Sequence, residues 1–202
     1  MLNCVRIIAG TFRSRSLQAP AGLSTRPTSD RLRETIFNVL AARIDGAAFL
    51  DLYAGSGAVG LEALSRGAAH VTFVEKAPSA LTVLRVNLAR LGLTSGFNIQ
   101  SCGVGAFLRR PQTAPAAFDL VFLDPPYDSD QEYASTLGLL GGSAAGCLAP
   151  GALLLAEHRR KDHLADHYGS LQRTRLLQQG DASLSFYAAG AFVQGTTSGL
   201  SS

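Results

Sequence analysis

The chain has 202 residues, of which 47% are hydrophobic and 16% charged, with a formal net charge of +3. Such a length and composition fit one packed α/β domain with room for a small appendage, and they argue against general disorder. No apolar run approaches the roughly 18 uncharged residues of a membrane span, and Met1–Phe12 carries Arg6 inside its apolar patch in place of a signal-peptide core, so a cytoplasmic protein without membrane contact is expected.

Val5–Ala9 predicts a short β run, and an arginine-rich polar stretch, Thr11–Ser16, follows it. Thr28-Ser29-Asp30 reads as a helix start with acceptors for free backbone N–H groups. The helix behind it places Leu32, Ile36, Phe37, Val39 and Leu40 on its apolar side, which points Arg31, Arg33 and Glu34 towards water or a ligand. Residues 1–40 hold Arg6, Arg13, Arg15, Arg26, Arg31 and Arg33 against Asp30 and Glu34, a net +4, whereas the remaining residues hold 12 basic and 13 acidic groups. Arginine's planar fork suits phosphate oxygens, and a local basic patch attracts nucleic acid without regard to sequence. Ordinary surface scatter is the bland alternative.

From Ala47 the pattern alternates between strand and helix. Ala47–Tyr53, His70–Val74, Phe97–Gln100, Phe118–Leu123 and Ala152–Glu157 predict strands; Ala58–Arg66, Pro78–Leu91, Val104–Leu108 and Gln131–Leu140 predict the helices between them. Gly92 is placed to close the second of these helices. Leu171–Leu177 and Leu184–Ala188 predict a final antiparallel hairpin, with Phe186 and Tyr187 filling its core face. The spacing implies an α/β fold: a doubly wound, mostly parallel Rossmann-like sheet with a C-terminal antiparallel hairpin and a small basic N-terminal extension. The boundaries drawn are 1–40 for a basic N-terminal extension, 41–189 for the α/β domain and 190–202 for a loose, small and polar tail. Ligands of such sheets sit beyond the carboxyl ends of the strands, where the two most unusual segments fall.

The first segment is Asp51-Leu52-Tyr53-Ala54-Gly55-Ser56-Gly57-Ala58-Val59-Gly60, with Glu75 ending the next strand. Glycines allow a sharp turn and close approach to a ligand, and an acid about 20 residues downstream can accept ribose hydroxyls. Taken as GxGxxG alone, the pattern equally suits a nicotinamide dehydrogenase or a plain strand-to-helix turn. Asp51 shifts the balance, because a carboxylate before the loop repels a pyrophosphate but can receive a cationic amino-acid end. S-adenosylmethionine has that end and carries no phosphate.

The second segment is Asp124-Pro125-Pro126-Tyr127, behind the apolar run Leu120–Leu123. An amino group on a base is a poor nucleophile because its lone pair is delocalised into the ring. The Asp124 carboxylate and the Pro125 carbonyl can accept its two N–H bonds and free that lone pair, since consecutive prolines stiffen the turn and remove a competing N–H. Tyr127 offers a flat face on which an extruded base can stack. Attack on a sulfonium methyl is then a displacement governed by proximity and alignment.

With both motifs placed, the chain resembles the class I S-adenosylmethionine methyltransferases with a (D/N)PP(Y/F) box, and among them the bacterial 16S rRNA guanine-N2 methyltransferases of the RsmD type. The resemblance runs from about Arg6 to Tyr187. It rests on Arg6-Ile7-Ile8-Ala9-Gly10, on Arg26-Pro27-Thr28 through Asp30-Arg31-Leu32-Arg33-Glu34-Thr35-Ile36-Phe37-Asn38, on the glycine loop running into Leu61–Ala68, and on the DPPY box. It implies transfer of a methyl group to a guanine N2, with guanine 966 as the pattern's target, in 16S rRNA of a partly assembled small subunit, by a monomer that releases S-adenosylhomocysteine and uses no metal. It implies donor binding by Asp51, Tyr53, Gly55, Ser56, Gly57, Glu75, Lys76, Gly103 and Val104, and a guanine site made of Asp124, Pro125, Pro126 and Tyr127. Arg6, Arg13, Arg15, Arg26, Thr28, Arg31 and Arg33 would contact RNA. One position departs from the pattern: Gly103 stands where an acid for the adenine amino group is expected.

The remaining features point elsewhere only weakly. Cys4, Cys102 and Cys147 are far apart and outside any CxxC pairing, as reduced thiols would be. His158, His163 and His167 lack an HExxH pattern, and the last two, at i, i+4 spacing, read as a solvated helix beside Arg159, Arg160 and Lys161 with a secondary role in RNA contact. Three rival functions stay open: a DNA adenine-N6 or cytosine-N4 methyltransferase, a nicotinamide-dependent oxidoreductase, and a non-catalytic RNA-binding assembly factor.

Overall fold

A computed structural model of the chain describes residues 5–19, 30–110, 117–126 and 130–189. In chain order its elements are β1 (Val5–Arg6), β2 (Ser16–Leu17), α1 (Asp30–Leu40), β3 (Ala48–Leu52), α2 (Ala58–Ser65), β4 (His70–Glu75), α3 (Pro78–Leu91), β5 (Phe97–Ser101), α4 (Val104–Leu108), β6 (Phe118–Leu123), α5 (Asp130–Leu140), β7 (Leu148–Arg159), β8 (His167–Tyr168), β9 (Leu171–Gln179) and β10 (Ala182–Ala189). The predicted strand Ala152–Glu157 lies inside the longer β7. α3 shows why these residues adopt these forms. Proline opens it where its missing N–H costs nothing, leucines recur at helical spacing on its buried side, and Gly92 closes it at φ 72°.

The main sheet has the order β5-β4-β3-β6-β7-β10-β9-β8. Strands β5 to β7 run parallel, and β10, β9 and β8 continue the sheet antiparallel. From β3 the chain winds outward through β4 and β5, then returns to β6 on the other side of β3. This reversal opens a crevice at the carboxyl ends of β3 and β6, the usual ligand position in such sheets.

Both faces of the sheet are covered, which is why its central strands are apolar without alternation. One cluster joins Ile36 and Phe37 of α1, Leu61 of α2 and Leu84 of α3 to one face. A second joins Val104 and Phe107 of α4 and Leu137 and Leu140 of α5 to the other. Phe186 and Tyr187 are both buried, but on opposite faces, as neighbours on a strand must be.

The N-terminal segment is part of the first cluster. Val5, Ile7 and Leu17 are buried in it. Glu62, fully buried in α2, accepts the backbone N–H of Ile8 at 2.7 Å and of Ala9 at 3.0 Å, and pairs with Arg66 Nε at 2.7 Å. The turn after β1 packs on Ser65, where Phe12 N–H reaches Ser65 Oγ at 2.9 Å and Thr11 N–H reaches its carbonyl at 2.8 Å. A Cβ on Gly10, whose φ is +83°, would stand 1.8 Å from that carbonyl oxygen.

Two expectations are corrected. Arg33 does not face water; its side chain is fully buried, and one Nη atom bonds the Arg6 carbonyl and Asp30 Oδ1, both at 2.7 Å. The Arg6 contact comes from tertiary packing of the N-terminal segment, which periodicity alone does not reveal. Residues 163–167 form no helix either. After Arg159 the chain turns and enters β8 at His167, while His158 is buried within β7 and bonded to Ser185 Oγ at 2.9 Å.

Candidate active site

The register of the central strands brings the two sequence motifs together. Leu52 of β3 pairs with Leu123 of β6, so Tyr53 and Asp124 leave neighbouring strands at one level. Adjacent strands are about 4.8 Å apart. The glycine loop and the DPP turn therefore share one rim.

The loop after β3 is built by close approach. Gly57 has φ +81°, and a Cβ there would stand 2.3 Å from Leu84 Cδ1; one on Gly60 would stand 2.3 Å from Phe73 Cε1 and 2.9 Å from Asp51 Oδ2. Tyr53 adopts φ 62°, a left-handed conformation unusual for a residue with a side chain. Its hydroxyl bonds Glu132 Oε2 at 2.8 Å and Thr136 Oγ1 at 2.7 Å, which ties the donor loop to α5, the helix following the DPP turn. Ser56 is held through its carbonyl by Asn87 Nδ2 at 3.0 Å, and Asn87 also exchanges two bonds with the backbone of Gln18.

Glu75 secures the loop from β4. One carboxylate oxygen accepts Gly55 N–H at 2.8 Å, and the other accepts Lys76 N–H at 2.8 Å and Ala77 N–H at 2.7 Å. A carboxylate offers about four acceptor positions, so Glu75 keeps capacity for a ligand hydroxyl. Lys76 is exposed, Val104 is buried at the start of α4, and Gly103 sits before it with open space where a side chain would stand. The absence of an acid at Gly103 is not forced by packing.

Carboxylates gather at this rim. Asp51 is buried and accepts Gly60 N–H at 2.9 Å, yet burial, aided by the charge of Glu75, pushes its pKa up to about 7. Burial also raises Asp124 well above the ordinary carboxylate range, and the charges of Glu157 and Asp51 add to the shift. Among the described residues none donates a hydrogen bond to the Asp124 carboxylate. Pro125 is buried and Pro126 exposed. Acids clustered at this rim favour a cation in the crevice and disfavour a pyrophosphate. Among the described residues no group of His, Cys, Asp and Glu side chains could hold a metal.

Of the residues expected to form the site, the structure brings together Asp51, Tyr53, Gly55, Ser56, Gly57, Glu75, Gly103, Val104 and Asp124 with its two prolines. Tyr127, Arg26 and Thr28 lie outside the described residues. Arg6, Arg13, Arg15 and Arg31 are exposed, but the turn carrying Arg13 packs at the end of α2 furthest from the glycine loop. Missed from the sequence were Glu157 beside Asp124, the Tyr53 partners Glu132 and Thr136, and Asn87. Only Asn87 left a signal, as an amide on the leucine side of α3.

A family model described as "Conserved hypothetical protein 95" matches residues 5–188. YlbH of Bacillus subtilis is 37% identical over 183 residues, covering 91% of this chain and 98% of that protein. The "Ribosomal RNA small subunit methyltransferase D" of Escherichia coli is 41% identical over 153 residues, 76% of this chain and 74% of that one. Among solved structures, the yhhF protein of Escherichia coli aligns with a TM-score of 0.80 at 34% identity, over 93% of this chain and 98% of that chain.

Proposed function

The chain belongs to the Conserved hypothetical protein 95 family, and from that premise we propose that it transfers a methyl group to the exocyclic N2 of a guanine in 16S rRNA, guanine 966 being the candidate position. It is an S-adenosylmethionine-dependent rRNA methyltransferase. The observation that carries the finer reading is the pairing of Leu52 with Leu123, which sets Asp124 beside the glycine loop at one rim.

Bound S-adenosylmethionine supplies an electrophilic methyl on a sulfonium centre. The rim's own chemistry fits such a ligand, because Asp51 and Glu75 present negative charge around a loop that glycines keep open. A nearby cation favours the ionised form of Asp51 and Asp124 and lowers their raised pKa values. The Asp124 carboxylate and the Pro125 carbonyl accept the two N–H bonds of the guanine amine, holding its nitrogen lone pair out of conjugation. Burial raises Asp124 above the ordinary carboxylate range, which makes it a stronger base for the proton that the nitrogen sheds. Tyr127 stacks on the extruded base. The protein acts as a monomer on RNA that it reaches in a partly assembled subunit.

The test uses labelled donor with three substrates: under-methylated small subunits, naked 16S rRNA and duplex DNA. Label is expected in guanine N2 of the rRNA, with subunits labelled faster than naked RNA. Label found in DNA adenine and absent from rRNA would overturn the assignment.

A further inference from the structure

The carboxyl end of the sheet does not stop at the crevice. β7 runs parallel to β6 and leaves the same rim at Arg159. Ala182 of β10 pairs with Arg159, and Gln179 of β9 pairs with Ala182, so all three stand at one level. Thr35 of α1 closes the row, its hydroxyl 2.9 Å from Gln179 Oε1. One helical turn earlier, Arg31 is exposed on the same helix.

This flank carries exposed cations. Arg160 and Lys161, in the loop leaving β7, are exposed. Among the described residues neither they nor Arg31 has a carboxylate partner. The neighbouring acids are already engaged: Asp162 accepts Arg159 N–H at 3.2 Å, and Asp166 pairs with Arg173. The Arg160 N–H bonds the Asp181 carbonyl at 2.8 Å, which fixes the loop against the β9–β10 turn. Ala156 of β7 is level with Leu123, so Arg160 stands three residues beyond the level of Asp124 on the next strand. At about 3.3 Å per residue and about 4.8 Å between strands, its Cα is roughly 11 Å from that of Asp124. An arginine side chain bridges much of that span, whereas Arg13 sits at the foot of α2.

We propose that Arg160 and Lys161, with Arg31 across Gln179, form a phosphate-binding edge of the catalytic rim that grips the RNA backbone flanking the target base. Polyanionic RNA is the partner that this chemistry fits, because paired cations beside a base-accepting crevice position a phosphate chain without reading its sequence. The inference rests on the RNA-methyltransferase reading above, and two readouts separate their failures.

The variants R160E/K161E and R160A/K161A are compared with wild type and with R13E. Binding of a 16S rRNA fragment is followed against log salt, and methyl transfer to under-methylated subunits is followed in parallel. Each lost phosphate contact makes the salt slope shallower by about 0.7 to 1. A slope shallower by nearly 2 is expected for both double variants, with a tenfold or greater rise in KM and an unchanged kcat at saturating substrate. A slope and KM equal to wild type, or a change no larger than that of R13E, would overturn the proposal. Should wild type methylate no rRNA while the double variants still lose RNA salt dependence, the assigned reaction fails and the phosphate edge stands.

Discussion

Two regions of this molecule bury carboxylates in opposite ways. Glu62 lies inside the core beneath the N-terminal segment, where β1 pairs antiparallel with β2, and its oxygens accept two backbone N–H groups and the Arg66 side chain. Asp51 and Asp124 lie at the sheet's rim, where Asp51 accepts one backbone N–H and Asp124 accepts none from the described residues. The first arrangement joins two parts of the fold. The second is a standing cost, retained where a cationic ligand and a polarised amine can offset it. Glu62 is used up by the fold, whereas Asp51 and Asp124 keep acceptor capacity that the fold leaves open.

The contrast breaks most sharply if the rim acid is removed. Asp124→Ala should lower methyl transfer by about 10³-fold or more, in line with the loss of a positioned acceptor and base, while thermal stability holds or rises and RNA binding persists. Turnover within tenfold of wild type would place the chemistry elsewhere. Glu62→Ala should act the other way round, costing about 3–5 kcal/mol by stranding Arg66 and two N–H groups, as read from urea unfolding; a loss below about 1 kcal/mol would remove the structural half of the contrast.

Acidity sharpens it further. Asp51 is raised from its unfolded value to about 7, so the folded state holds a proton that the unfolded state has released. Stability should therefore be greatest below the unfolded value and fall as pH climbs towards 7, by up to about 1.4 kcal/mol per pH unit. S-adenosylhomocysteine, through its amino group, should blunt that fall, and Asp51→Asn should flatten it. A melting temperature rising through the same window in wild type would contradict the assignment. Tyr53→Phe removes two hydroxyl bonds between the donor loop and α5 and should cost about 1–2 kcal/mol, with a larger effect on kcat than on donor affinity. Smallest of all, Gly103→Asp fills open space at the start of α4 and should add about 0.4–1 kcal/mol of stability, with a few-fold gain in S-adenosylhomocysteine affinity by calorimetry.

Much of this was legible from residue order. The parallel core was readable because apolar strands alternate with helices of clean leucine spacing, and α3 begins and ends where Pro78 and Gly92 place it. The glycine loop and DPP turn were readable because each demands residue types that ordinary turns do not combine. Arg33 was misread because position in a helical repeat predicts facing only when neighbours are known, and residues 163–167 because two histidines at i, i+4 spacing do not by themselves make a helix. The Tyr53 contacts span 79 and 83 residues of chain, and no local pattern carries such a pairing.

The Glu62 clamp also sets an order of events during synthesis. Ile8 and Ala9 are separated from their acceptor by more than 50 residues, and Gln18 from Asn87 by 69. At about 5–20 residues per second of translation, Ile8, Ala9 and Gln18 wait several seconds before these acceptors exist. Until then Val5, Ile7 and Leu17 have only the earlier residues of their cluster, such as Ile36 and Phe37 of α1, to pack against. The segment is made before the residues that seat it, and those residues are made before β5 to β10.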